Sequence, residues 1–392
     1  MISQIATVVS LILLILVGGH LFFWYSIVKF FHIVRRKIRM WILAIITFFA
    51  LSFPIATVLV HTHDNMLSSA YYFMSGVWIG MMLNVMMATI LAWIIILIAK
   101  LFKRRVKTRV IAIIFFSIAI IYTGHGVWNA HSPKITNIEV PMKNLPKEWE
   151  GKTIVQLSDV HLGYFYDADF LSGIVKKVND LHPEVVLITG DLFDGMDGRM
   201  DTFAPVLNTF EATDGVYFIT GNHETYVGLE KVMEILAKTN IKVLNDEIVD
   251  LKGIQLIGVS FTTFGTTKDI TQIIQPGVNF TPDKPSILMY HVPASIALRG
   301  VSSHANSYWK PNTDFSYAKN LGINLQLSGH THAGQLFPIT LVTDFLYNGF
   351  DYGLHTDGTF SIYISSGVGT WGPPMRTGNT PEIVLIKLKP IK

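Results

Sequence analysis

The chain has 392 residues, with 31 Lys plus Arg against 28 Asp plus Glu and no Cys; half of its residues are hydrophobic and only 15% are charged. An ordinary globular domain is about 25% charged, so this composition excludes a wholly soluble protein, and the missing thiols exclude disulfides, zinc fingers and cysteine nucleophiles. The net charge of +3 averages two unlike parts: residues 1–132 hold eleven basic residues and one acid, Asp64, while residues 133–392 hold twenty basic and 27 acidic residues.

The basic part contains four apolar runs, at about residues 4–27, 40–60, 72–99 and 109–129, each of roughly the 20 residues a bilayer requires. Only Met-Ile-Ser-Gln precedes the first run, and without a charged leader it reads as a retained span and not as a cleaved signal peptide. Lys29, Arg35, Arg36, Lys37 and Arg39 follow the first run, and Lys100, Lys103, Arg104, Arg105, Lys107 and Arg109 follow the third. Basic loops stay on the cytoplasmic side, so four crossings would deliver everything after about Trp128 to the extracytoplasmic face of the cell membrane. Because the basic residues punctuate spans and form no binding patch, nucleic-acid binding is not expected. Polar groups inside the spans are sparse, with His20 the one strongly polar titratable group well inside; Gly76 and Gly80 in the third run have the spacing for close helix approach, but ordinary packing is the better reading. An anchor is therefore expected, not a transporter.

A polar connection at 133–150 leads into residues 151–392, where the apolar period changes. Thr153–Ser158, Val185–Thr189 and Val216–Thr220 read as strands, and Phe170–Leu181 as a helix; strands alternating with helices indicate parallel β-α-β units. Later strands are expected at 254–259, 286–290, 325–328, 360–365 and 383–387. The residues just beyond these strands carry chemistry. The first strand ends in Asp159-Val-His161, the second in Gly190-Asp191-Leu-Phe-Asp194 and the third in Gly221-Asn222-His223-Glu224; two later ones end in His291 and in Gly329-His330-Thr-His332. In open α/β sheets the ligand crevice lies beyond the carboxyl ends of the strands, so these groups should converge.

Taken singly, an Asp after a strand is an ordinary helix cap and a lone His an ordinary hydrogen-bonding residue. Together, Asp159, His161, Asp191, Asn222, His291, His330 and His332 are seven nitrogen or oxygen donors, too many for one tetrahedral zinc and suited to two metals sharing a carboxylate. Imidazole mixed with carboxylate and amide oxygen favours Mn, Fe or Zn over Mg or Ca.

This ordered set resembles the calcineurin-like metallophosphoesterase superfamily over about residues 150–390, and the stretch Gly329–Gln335 is similar to its bacterial membrane-anchored phosphodiesterase branch. The resemblance implies an α/β fold, a four-layer α/β/β/α sandwich, here preceded by four transmembrane helices. It implies that Asp191 bridges two divalent ions, with Asp159, His161 and His332 completing one site and Asn222, His291 and His330 the other. A dimetal-bound hydroxide would then attack phosphorus, with His223 as general acid and Asp194 and Glu224 orienting the ligand loops. Ala333 stands where the family usually has Gly. The 39 residues from His291 to His330 form an unusually long gap, read as a lid in which Trp309 stacks on substrate and Lys310 contacts phosphate. Arg376 is a second candidate phosphate clamp.

The expected protein is a multi-pass membrane hydrolase cleaving phosphodiesters or pyrophosphates on a lipid or cell-envelope substrate. Rival readings are a phosphomonoesterase of broad specificity and a non-catalytic sensor of metal or ligand. The sequence leaves the oligomeric state open.

Overall fold

The apolar runs form helices because a chain with no water to satisfy its backbone must bond within each segment. In the computed structural model, residues 2–195, 199–261, 270, 273–296 and 311–391 are described, with side chains in the first helix from Leu16 onward. Helices α1 (Ile2–Phe30), α2 (Arg36–Thr62), α3 (Met66–Leu101) and α4 (Thr108–Ala130) follow the four runs. Among the described residues α2, α3 and α4, of 27, 36 and 23 residues, are long and apolar enough to cross a membrane, while the described apolar part of α1 is the shorter Leu16–Phe30. Asn65 starts α3 with a capping box. Its side chain accepts the N–H groups of Leu67 and Ser68, each at 3.0 Å, and Ser68 Oγ accepts the Asn65 N–H at 3.1 Å.

The chain divides into two compact units, Met1–Trp128 with Gly372–Thr377, and Asn129–Trp371 with Gly378–Lys392. Within the first unit, Gly80 and Gly126 make room for the distant segment 372–377. A methyl group on Gly80 would meet Met375 and Pro373, and one on Gly126 would meet Thr377. The Arg376 N–H donates to the Gly126 carbonyl at 2.9 Å, and the Tyr122 hydroxyl bonds the Thr377 carbonyl.

The second unit holds two six-stranded sheets. The first runs β1 (Lys134–Lys143), β12 (Glu382–Ile391), β2 (Thr153–Leu157), β3 (Val185–Ile188), β4 (Val216–Phe218), β5 (Lys242–Val243). All its pairs are parallel except β12 with β2. The second runs β10 (Gly353–Asp357), β11 (Phe360–Ile364), β9 (Leu325–Ser328), β8 (Ser286–Tyr290), β7 (Ile254–Val259), β6 (Glu247–Leu251), parallel in its four central strands. Side chains alternate faces along each strand. Ile154 of β2, Leu187 of β3, Leu256 of β7 and Leu327 of β9 therefore meet in one core between the sheets. Val155 and Ile188 pack instead with Leu171, Ile174 and Val178 of helix α5 (Ala168–Asn179). On the second sheet, Ile257 and Leu288 pack with Ala318 of helix α9 (Ser316–Leu321).

The segment expected as a polar connection, 133–150, is a correction: its residues 134–143 form β1, paired along ten residues with β12. An edge strand with one face toward water tolerates the Lys, Asn and Glu that gave it a linker-like composition.

Candidate metal centre

Both sheets aim their parallel strands at the same cluster. Asp159 and His161 follow β2, Asp191 follows β3 and Asn222 follows β4, neighbouring strands of one sheet; His291 follows β8 and His330 and His332 follow β9, neighbours in the other. All seven side chains are buried. Five of these residues, Asp159, His161, Asp191, His330 and His332, have φ between 50° and 72°, in the left-handed region that non-glycine residues seldom occupy. Such strain persists only where surrounding structure enforces it. Two glycines are required by proximity. A methyl on Gly221 would collide with the Asp191 carboxylate, and one on Gly329 with Asp159 and the Ser158 hydroxyl.

The ligand atoms fall into groups. Asp159, His161 and His332 lie within 4.8 Å of one another, as do Asp191, His291 and His330, and as do His161, Asp194 and His223. In the first, His161 Nε2 is 3.0 Å from His332 Nε2, and His332 Nε2 is 3.3 Å from Asp159 Oδ1. In the second, His291 Nε2 is 3.1 Å from Asp191 Oδ2. Asn222 Oδ1 joins it, 2.8 Å from His330 Nδ1. Asp191 lies nearest to both, since its Oδ2 is also 3.9 Å from His161 Nε2.

His291 decides what such a site wants. Its Nδ1 donates to the Thr189 carbonyl at 2.8 Å, which leaves the lone pair on Nε2, and that lone pair faces the Asp191 carboxylate without a well-aligned hydrogen bond. Two buried acceptors opposite each other repel unless a cation or a proton sits between them. In the absence of metal a proton serves: burial disfavours a charged ring, but the Asp191 carboxylate outweighs it and holds His291 up at about 10. Burial pushes Asp191 upward, yet His291 and His223 hold it well below the usual carboxylate range. Asp159 is raised, chiefly by burial. His330 is pushed down to about 3 by burial and by the neighbouring His291, so the ring is neutral near neutral pH. Residues of this donor chemistry fit divalent ions bound through nitrogen and oxygen.

Supporting residues hold the ligands in place. Glu224 accepts N–H bonds from Asp191 at 3.0 Å, Phe193 at 3.1 Å and Gly221 at 2.6 Å, tying the β3 and β4 loops together; burial, then the charge on Asp191, raises it to about 7. Asp194 Oδ1 is 3.3 Å from His161 Nδ1, and its carbonyl accepts the Nδ1–H of His223 at 2.7 Å. His223 meets His161 edge to face, with ring centroids 4.5 Å apart, and burial followed by His161 lowers its pKa.

A model of the calcineurin-like phosphoesterase family matches residues 152–334. Over 348 residues the chain is 32% identical to an uncharacterized metallophosphoesterase of Campylobacter jejuni, a match covering 85% of this chain and 86% of that protein. The chain belongs to the calcineurin-like metallophosphoesterase family. With that family goes metal-dependent phosphoester hydrolysis. Similarity also extends to a transmembrane protein with metallophosphoesterase domain from Danio rerio, 32% identical over 72% of this chain and 63% of that one, so less than two thirds of its length is matched. An uncharacterized metallophosphoesterase of Aquifex aeolicus is 28% identical over 69% of this chain and 98% of its own. Together with the three long apolar helices, these matches identify a membrane metallophosphoesterase.

The remaining candidates sit elsewhere. Trp309 and Lys310 lie outside the described residues. Arg376 belongs to the segment that clusters with the helices, and its side chain has no exposed surface. Three supporting groups escaped the motif pattern. The Thr189 carbonyl fixes the His291 ring and leaves no side-chain signature. Ser158 Oγ donates to Asp159 Oδ2 at 2.6 Å. Asn379, 47 positions from His332, donates to the His332 carbonyl at 2.6 Å and to the Ala333 carbonyl at 2.9 Å.

Proposed function

We propose that this membrane metallophosphoesterase hydrolyses a phosphodiester or pyrophosphate presented at the membrane by a lipid or cell-envelope polymer. Asp191 would bridge two divalent ions, one held also by Asp159, His161 and His332 and the other by Asn222, His291 and His330. What supports the reading is the buried His291 Nε2 facing the Asp191 carboxylate at 3.1 Å, a position where a divalent ion can displace the proton. Once bound, the metals supply charge stabilisation at the phosphoryl oxygens and a nucleophile near neutral pH. The mixed donors favour Mn, Fe or Zn.

The protein's own groups do the rest. The Asp194 carbonyl orients His223 through Nδ1–H, so a second proton on Nε2 can pass to the departing alkoxide. Glu224 keeps Asp191 and the loop of Asn222 in register through its three N–H bonds. The first helix serves as a fourth span, and the basic loops set the catalytic unit on the extracytoplasmic face. That face lacks cytosolic phosphoproteins and nucleotide pools, which leaves envelope phosphoesters as the natural substrate class.

Purified full-length protein with Mn should turn over bis-p-nitrophenyl phosphate; no turnover with Mn, Fe or Zn would sink the hydrolase reading. Alkaline phosphatase and β-lactamase fusions at residue 140 test the orientation, and a cytoplasmic report would remove the argument for envelope substrates.

A further inference from the structure

Helix α10 (Ile339–Leu346) is amphipathic the wrong way round for water. A helix on a water-soluble domain turns its apolar stripe inward. Here the polar side is inward: Thr340 lies against Gly334 and Gly378 with no room for a methyl on either, and Thr343 Oγ1 donates to Asp351 Oδ2 at 3.2 Å. None of its residues is buried, and Ile339, Leu341, Val342 and Phe345 are exposed, Leu341 by 62% and Phe345 by 80%. Exposed Phe337 and Trp371 extend the apolar surface. Trp371 is joined to Gln335 by two reciprocal bonds of 2.9 Å, its N–H to Gln335 Oε1 and Gln335 Nε2 to its carbonyl. Contiguous apolar surface of this kind marks an interaction site.

We infer that α10, with Phe337 and Trp371, is seated in the lipid surface of the bilayer, with its apolar residues among the acyl chains. Three features point to lipid as the occupant. The chain carries its own membrane-crossing helices, so a bilayer is covalently at hand. The segment Gly372–Thr377, directly bonded to Trp371 and Gly378, is part of the helical unit. Apart from the exposed Asp344, the one charged residue of the helix, the side chains outward on α10 are aliphatic and aromatic, with no cation, which suits insertion without anionic headgroups.

The catalytic consequence rests on the reading of the substrate as membrane-borne; the seating itself does not. The loop Gly329–Gln335 runs from candidate ligands His330 and His332 directly into Phe337 and α10. A lipid whose tails stay in the bilayer would present its phosphoester next to this loop.

The absence of Cys makes a single label unambiguous. In full-length protein in phosphatidylcholine vesicles, an environment-sensitive NBD label on Phe345→Cys should emit at shorter wavelength than one on Lys176→Cys, an exposed position of α5. It should also be quenched by doxyl-labelled lipid. A water-like spectrum at 345, or shielding that comes from cross-linking to a second copy without lipid quenching, would overturn the inference. The double variant Leu341→Glu/Phe345→Glu should lose about tenfold or more in rate on hexadecyl p-nitrophenyl phosphate in those vesicles. It should stay within about twofold of wild type on soluble bis-p-nitrophenyl phosphate. An unchanged ratio of the two rates would overturn the catalytic consequence. A wild type that splits neither substrate speaks against the hydrolase reading alone, and the label then decides the seating independently.

Discussion

Buried polar groups occur in both units of this protein, but they are arranged differently. In the helices several are matched donor to acceptor, although Ser75 Oγ and Asn84 Oδ1 of α3 have no partner among the described residues. Trp78 Nε1 donates to His20 Nε2 at 3.2 Å while His20 Nδ1 bonds the Leu16 carbonyl at 2.7 Å, and Trp93 Nε1 donates to Ser26 Oγ at 2.8 Å. At the strand ends imidazole nitrogens face carboxylates, His291 Nε2 at 3.1 Å from Asp191 Oδ2 and His332 Nε2 at 3.3 Å from Asp159 Oδ1. Matched groups consolidate packing and need nothing more. A buried ring nitrogen facing a carboxylate needs a cation or a proton between them. A polar residue in an apolar setting is thus read by its partners and not by its type.

Variants at the two kinds of site should differ in what they lose. Asp191→Ala removes the acceptor common to both ligand groups and should lower kcat by about 10⁴-fold, with metal content by X-ray fluorescence falling together with rate. Asn222→Ala and His332→Ala should likewise lose metal and activity together. Retention of a full metal complement in Asp191→Ala would break the comparison.

His223→Ala should keep its metal and still lose about 10²- to 10⁴-fold in kcat. Because burial and His161 hold this ring below its ordinary value of 6.5, the proton it must donate is lost as pH rises through a value under 6.5. Wild-type kcat should therefore fall on the alkaline side of that pH, and the variant's profile should be flat there.

A smaller effect concerns metal affinity. In the apo protein His291 holds a proton up to about pH 10, and each ion bound there must displace it. Affinity for Mn, measured by calorimetry, should weaken by about tenfold per unit as pH drops from 8 to 6. A pH-independent affinity would show that no proton competes at His291. At the far end of the scale, Trp93→Phe removes a matched bond inside the helices and should cost only about 0.6 kcal/mol in detergent unfolding, with metal content unchanged.

The strand ends were legible in the sequence because each motif is local: an apolar run, a turn and a polar residue occupy fewer than ten positions. Their convergence stems from the general placement of ligands beyond parallel strands, which both sheets obey. Elements that draw their meaning from a distant partner were not legible. β1 has a linker's composition, and only ten residues of pairing with β12 make it a strand. Gly80 has the spacing of a helix-packing glycine, yet its space is taken by Met375 and Pro373, some 290 positions away. Nor does the sequence show that Arg376 is buried within the segment that clusters with the helices.

By itself the sequence determined the two-part organisation, the apolar helices and the identity of the donors, since a span needs only length and hydropathy and a ligand only its chemistry. Tertiary structure alone decided which acceptors face each other, which carbonyl sets the His291 tautomer, and that α10 shows its apolar side outward. Those outcomes depend on which surfaces long-range packing covers, and no local run of residues records what will lie against it.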